Sequence, residues 1–121
     1  MENNEMKLLD EQLDAVTGGA AFSAEDGAAF CADLEVQQAV QNLQLHVAAT
    51  LDNYAGINKT YAENYSKQMV RNVIQDANAD LFRRNYKNLK YCMEKGYRAD
   101  LQCAEVLALD ALMVQYNIPM P

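Results

Sequence analysis

The chain has 121 residues, the size of one ordinary domain, which excludes a cofactor domain joined to a separate substrate domain. Half of the residues are apolar, 22% are charged, and only five Gly and two Pro are present, so we expect most of the chain to fold. Ten basic against seventeen acidic residues give a net charge of −7, which repels nucleic-acid phosphates and anionic lipid. The most apolar stretch, residues 104–114, contains two acidic residues and is shorter than the ~20 residues of a membrane span. We therefore expect neither nucleic-acid binding nor stable membrane insertion.

The first nineteen residues differ from the rest of the chain. They carry five acidic side chains against Lys7 alone, contain no aromatic residue and end at Gly18-Gly19. Four apolar residues recur at helical spacing and share one side of a short helix: Met6, Leu9, Leu13 and Val16. A helix this short is marginal in water, so we expect it to fold when a partner's groove receives that apolar side. The basic start and unbroken apolar stretch of a Sec signal peptide are missing.

Residues 8–19, LLDEQLDAVTGG, resemble the double-glycine leader of bacteriocin and ribosomal peptide precursors. The resemblance covers residues 1–19 only. Five positions match the pattern of that family: Gly19, Gly18, Val16, Leu13 and Leu8. Two positions depart from it, since Gln12 stands where Glu is usual and Leu9 where Ser is frequent. In that family a peptidase-containing ABC transporter removes the leader and exports the remainder.

The resemblance implies specific roles for the leader. It implies a cleavage site formed by Gly18, Gly19 and Ala20. It also implies recognition of four apolar residues by the transporter peptidase: Leu8, Leu9, Leu13 and Val16. Glycines suit such a site physically, because a chain without Cβ atoms can pass extended through a narrow cleft. The chain would then be a substrate of the transporter's cysteine peptidase and not an enzyme, made in the bacterial cytoplasm and released outside the cell.

The cargo, residues 20–121, begins with an Ala-rich segment, 20–32, that we expect to stay mobile, although Ser23 could cap a helix there. Residues 33–121 are expected to form a helical domain. Its first long helix runs from about Asp33 to Gly56, and a second begins at Asn58 or Thr60. The last helix, from Asp100, is apolar on nearly every side and is expected to be central and buried.

The second long helix can be read in two ways. Unbroken, it would have about 35 residues and span ~52 Å, and its apolar stripes would be covered only if two chains paired. A break within Gln75–Asp80 would instead produce a hairpin, because Asp and Asn compete for backbone hydrogen bonds. We favour the break. The sequence thus predicts an all-α fold with a leader helix and an antiparallel four-helix bundle, and the alternative is a homodimer of three-helix chains.

The cysteines and the lone histidine carry few signals of a site. Cys92 and Cys103 are nearly equidistant from a turn at Gly96–Tyr97, so they could form a disulfide in an exported cargo or remain two buried thiols. Cys31 stays unpaired in either case. His46 has no metal-ligand spacing around it, and we expect a half-exposed helix residue. We assign no metal and no cofactor.

Three functions remain open for the whole chain. The leading one is a secreted precursor, bacteriocin-like or signalling, whose leader is cleaved after Gly19 during export. A precursor modified by tailoring enzymes is the second, although the cargo offers few Ser or Thr residues for such chemistry. The third is a cytoplasmic helical-bundle interaction protein. No nucleophile, base and orienting group can be nominated from motifs, which argues against an enzyme.

Overall fold

The computed structural model describes residues 21–121, and over that range the chain is all-α, as predicted. Two short 3₁₀ helices, Leu51–Asn53 and Arg98–Gln102, lie between the longer elements. There are five α-helices in this part of the chain: α1 (Ala24–Ala32), α2 (Leu34–Ala49), α3 (Ile57–Ile74), α4 (Ala79–Lys95) and α5 (Ala104–Gln115). The predicted count of four was wrong, because α1 adds a helix before the four that periodicity located.

Helix α1 corrects the expectation of a mobile segment over residues 20–32. The Ser23 hydroxyl oxygen accepts a hydrogen bond from the Asp26 amide at 3.0 Å, so the predicted cap is present. Alanine is the strongest helix former, and one side of α1 buries Phe30, whose ring lies 5.1 Å from that of Phe82. Burial of this aromatic residue anchors the segment to the bundle.

The predicted break between the second and third long helices is confirmed. Helix α3 ends at Ile74, and α4 begins at Ala79 after a turn in which Ala77 has a φ of 48°. The side chain of Asn78 caps α4 by accepting from the Leu81 amide at 3.0 Å. The chain therefore does not form the unbroken helix on which the three-helix alternative depended.

Helices α3 and α4 form a hairpin, α2 packs against both α3 and α5, and α1 contacts α2, α3 and α4. The buried side chains between them include Val36, Val40, Leu43, Val47, Met69, Val73, Phe82, Leu89, Met93, Val106, Leu109, Met113 and Ile118. Between residues 21 and 121, no helix combines the length and the apolar character needed to cross a membrane.

Helix α5 is not the central buried helix that its composition indicated. It packs chiefly on α2 and buries Val106, Leu109 and Met113. Two large apolar side chains on its other side are exposed, Leu107 by 51% and Val114 by 66%. With five helices sharing the core, α5 contributes one side to it and leaves the other at the surface.

Candidate functional site

A cluster of polar side chains lies where the C-terminal end of α2 meets the residues that lead into α5. The side chains come from three parts of the chain: the end of α2 with its C-cap, the residue after the first 3₁₀ helix, and the segment from the second 3₁₀ helix to the first turn of α5. We call it the α2–α5 polar cluster, and its members are His46, Thr50, Tyr54, Asp100, Cys103 and Glu105.

Asp100 is the centre of this cluster and is only 2% exposed. Its Oδ2 accepts a hydrogen bond of 2.6 Å from the Tyr54 hydroxyl, and its Oδ1 lies 2.8 Å from Nε2 of His46. The Thr50 hydroxyl oxygen lies 3.4 Å from Oδ2. A buried carboxylate is costly unless such donors satisfy its oxygens, so Asp100 holds these three residues around it.

The local chain geometry explains how Tyr54 and Asp100 meet. The amide and hydroxyl of Thr50 both bond to the His46 carbonyl and end α2, after which a 3₁₀ helix carries the chain to Tyr54. Gly96, which follows α4, lets the Tyr54 ring approach closely, because a Cβ at this position would lie 2.9 Å from the ring's Cδ1. The second 3₁₀ helix then presents Asp100 to the hydroxyl.

The imidazole of His46 is oriented by its acidic neighbours. A carboxylate can only accept, so the contact with Asp100 places a proton on Nε2 and directs Nδ1 away from the core. Nδ1 lies 3.6 Å from Oε1 of Glu105, which is in the first turn of α5. One ligand atom from each of His46, Cys103 and Glu105 lies within 4.8 Å of the others, so these three residues are the members of the cluster that could hold a metal ion.

The environment of the cluster shifts two pKa values. Burial, and secondly the hydrogen bond to Asp100, raises the pKa of the Tyr54 hydroxyl far above its usual value, so this group remains a donor. Burial also raises the pKa of the Cys103 thiol. The negative charges of Asp100 and Glu105 act in the same direction, while the backbone amides of Val106 and Glu105 oppose them.

Cysteine, histidine and aspartate are also the residue types of a nucleophilic triad. A nucleophilic cysteine requires a lowered thiol pKa, whereas that of Cys103 is raised. In addition, the outward nitrogen of His46 faces a second carboxylate, Glu105. The raised thiol pKa disfavours the thiolate in either role, whereas the two carboxylates that face the imidazole, Asp100 and Glu105, favour a cation.

A second polar cluster joins α4 to α5. Asp110 accepts a 2.7 Å hydrogen bond from the Tyr86 hydroxyl, and both of its oxygens lie 3.1 Å from Nζ of Lys90. Burial is the main reason that the pKa of Tyr86 is raised. Opposite charges and donors are matched here, so this cluster is explained by the packing of the two helices.

The residues predicted to carry the leader's function lie outside the described range. They are Leu8, Leu9, Leu13, Val16, Gly18, Gly19 and Ala20. The structure contains free thiols at Cys31, Cys92 and Cys103. Both Cys92 and Cys103 are close enough to Tyr54 to influence its pKa, and their pairing stays a prediction.

Sequence reasoning placed His46 on a half-exposed helix position but missed its partners. His46 and Asp100 are 54 positions apart, so no short-range spacing links them. Glu105 and Cys103 are near neighbours in the sequence, but a Cys-x-Glu pair is too common to indicate a site by itself.

Comparisons with known proteins add no family assignment. A scan of protein-family models and searches of curated proteins and solved structures found no match to the chain.

Burial ranks the three thiols by reactivity. Cys31 and Cys92 are each 2% exposed, and burial raises the pKa of Cys31 to about 11, whereas Cys103 is half-buried. We expect iodoacetamide to modify Cys103 on the order of tenfold faster than the other two in the native reduced protein. Peptide mass spectrometry during a time course measures the three rates. In urea the difference should disappear, and equal rates in the native protein would contradict the described packing.

Proposed function

We propose that the chain is the precursor of an exported helical protein. Residues 1–19 are a leader that the cysteine peptidase domain of an ABC transporter recognises and removes after Gly19. The observation that carries this proposal is the combination of a glycine pair with apolar residues at matching distances upstream: Val16, Leu13 and Leu8. The partner is therefore a transporter, and the chain's part in the reaction is that of substrate.

The structure of the cargo supports this proposal in one respect. Helix α1 begins at Ala24 with its cap at Ser23, so cleavage after Gly19 leaves both its cap and its first turn intact. The proposed cut therefore falls outside α1 and its cap.

The charge of the cargo bears on its activity after release. Residues 20–121 carry twelve acidic and nine basic side chains, a net charge of −3. Cationic peptides bind anionic membranes, and a negative cargo lacks that attraction. We therefore favour a role in signalling or adhesion through protein contacts over membrane disruption of the bacteriocin type.

Co-expression with a peptidase-containing ABC transporter from the producing bacterium tests the proposal. We expect the culture medium to contain a product that begins at Ala20, identified by intact mass and N-terminal sequencing. A transporter whose peptidase cysteine is replaced by alanine serves as the control and should release none. Retention of only full-length chains in cells with the active transporter would overturn the proposal and favour a cytoplasmic interaction protein. A product mass that differs from that of residues 20–121 by added or lost groups would favour the tailored precursor.

A further inference from the structure

We propose that His46, Cys103 and Glu105 form a binding site for Zn²⁺, an inference that stands independently of export. The three residues supply one nitrogen, one sulfur and one oxygen, which are the three kinds of ligand atom that zinc takes from proteins. Their ligand atoms all lie within 4.8 Å of one another, although the residues come from the end of α2 and the start of α5. An ion here would join these two helices.

The spacing of two of the ligand atoms suits a tetrahedral ion. Zinc lies ~2.1 Å from nitrogen or oxygen ligands and ~2.3 Å from sulfur, so two ligand atoms of a tetrahedral site are about 3.4–3.6 Å apart. Nδ1 of His46 and Oε1 of Glu105 are 3.6 Å apart. This is beyond hydrogen-bond length, and in the neutral imidazole both atoms present lone pairs. A cation between them would satisfy both.

Asp100 prepares the histidine for this role. Metal-bound histidines commonly donate their second ring N–H to a carboxylate, which fixes the ring and makes the ligating nitrogen a stronger donor. Nε2 of His46 meets Asp100 at 2.8 Å, and Asp100 is itself held by Tyr54 at 2.6 Å. The arrangement thus has the outer shell of a metal site already in place.

The surroundings leave room for a fourth ligand. The side chains of His46 and Glu105 are 22% and 35% exposed, and a cavity of about 240 Å³ opens beside Glu105 against Ala104 and Ala108. Because the side chains of His46 and Glu105 are partly exposed, a water molecule can reach an ion that they hold and supply the fourth ligand. The sulfur ligand disfavours Mg²⁺ and Ca²⁺, which prefer oxygen, and Zn²⁺ does not oxidise a thiol.

The state of Cys103 controls the site. Zinc binds the thiolate and displaces the thiol proton, so the site requires Cys103 in its free, reduced form. A disulfide between Cys92 and Cys103 would remove the sulfur ligand. Zinc binding therefore belongs to the reduced protein.

The test uses the full reduced chain without a polyhistidine tag, since His46 is the only histidine. Competition against a chromophoric chelator should show one Zn²⁺ per chain with a Kd on the order of 1 μM or lower. Replacing Zn²⁺ by Co²⁺ should produce a thiolate-to-metal charge-transfer band. Cys103→Ser should abolish that band and weaken Zn²⁺ binding by about 100-fold, His46→Gln should weaken it by a similar factor, and Glu105→Gln by about tenfold.

Two control variants match these changes elsewhere in the chain. Cys31→Ser removes a buried thiol, and Glu35→Gln removes an acidic residue from the first turn of α2, as Glu105→Gln does from α5. Both should bind Zn²⁺ like the wild type, and circular dichroism checks the fold of every variant. If Cys103→Ser fails to fold, protection of Cys103 from iodoacetamide by Zn²⁺ in the wild-type chain supports the site. No binding at about 100 μM Zn²⁺, or binding that Cys103→Ser leaves unchanged, would overturn the proposal.

Discussion

We expect Gly18→Val to stop release of the product that begins at Ala20, because under the proposed function the new side chain would block the passage of the leader through the peptidase cleft. Valine adds a branched Cβ one residue before the scissile Gly19–Ala20 bond and removes the backbone freedom that glycine allows. A misplacement of about 1 Å in an active site can cost on the order of 100-fold in rate, about 2.7 kcal/mol of transition-state stabilisation. We expect a loss of cleavage of at least that size in a time course followed by mass spectrometry.

Thr17→Val is the matched control, since it introduces the same side chain one position upstream and leaves both glycines in place. It should be cleaved at nearly the wild-type rate. If Gly18→Val still yields the product at Ala20 at the rate of this control, the glycine pair does not define the cut, and the proposed leader is wrong.

Helix positions within the cargo followed from local patterns. Apolar residues such as Val36, Val40, Leu43 and Val47 recur every three or four positions in the sequence and are all buried on one side of α2. The break between α3 and α4 was also predictable, because asparagine is a preferred N-cap residue and Asn78 caps α4. Apolar periodicity and helix capping involve residues only a few positions apart, so they can be recognised without knowledge of the tertiary fold.

Features that depend on packing between helices could not be predicted from local sequence patterns. The alanines of α1 gave no periodic stripe, and its order depends on the contact of Phe30 with Phe82, more than 50 residues away. The exposed positions of α5, Leu107 and Val114, are as apolar as the buried ones. The sequence shows which residues are apolar enough to be buried. Which of these residues are buried depends on how many helices pack around the core.

The α2–α5 polar cluster shows the same limit more sharply. The role of His46 was predicted from its neighbours in the sequence. Its side-chain contacts are Asp100 and Glu105, which lie close to it because the chain turns after α2 and again after α4. Gly96 is the residue that permits the approach of Tyr54, but a glycine after a helix is expected as a simple terminator. A long-range polar cluster thus leaves no local pattern in the sequence.

Asp100→Ala should lower the free energy of unfolding by about 3 kcal/mol, as measured by urea denaturation. The substitution leaves the buried Tyr54 hydroxyl and the Nε2–H group of His46 without their acceptor. Tyr54→Phe removes one donor and keeps the ring, so its effect should be smaller, about 2 kcal/mol. Because Tyr54 and Asp100 contact each other, the double variant should lose less than the sum of the two single losses.

Asp52→Ala is the control, because Asp52 is 97% exposed and pairs with Lys59 at the surface. An exposed pair of this kind contributes between 0 and about 1 kcal/mol. If Asp100→Ala costs no more than this control, water replaces the lost contacts and Asp100 does not hold α2 to the start of α5. His46 would then lack the fixed orientation that a metal ligand needs, so the stability of this one variant also measures how well the zinc site is prepared in advance.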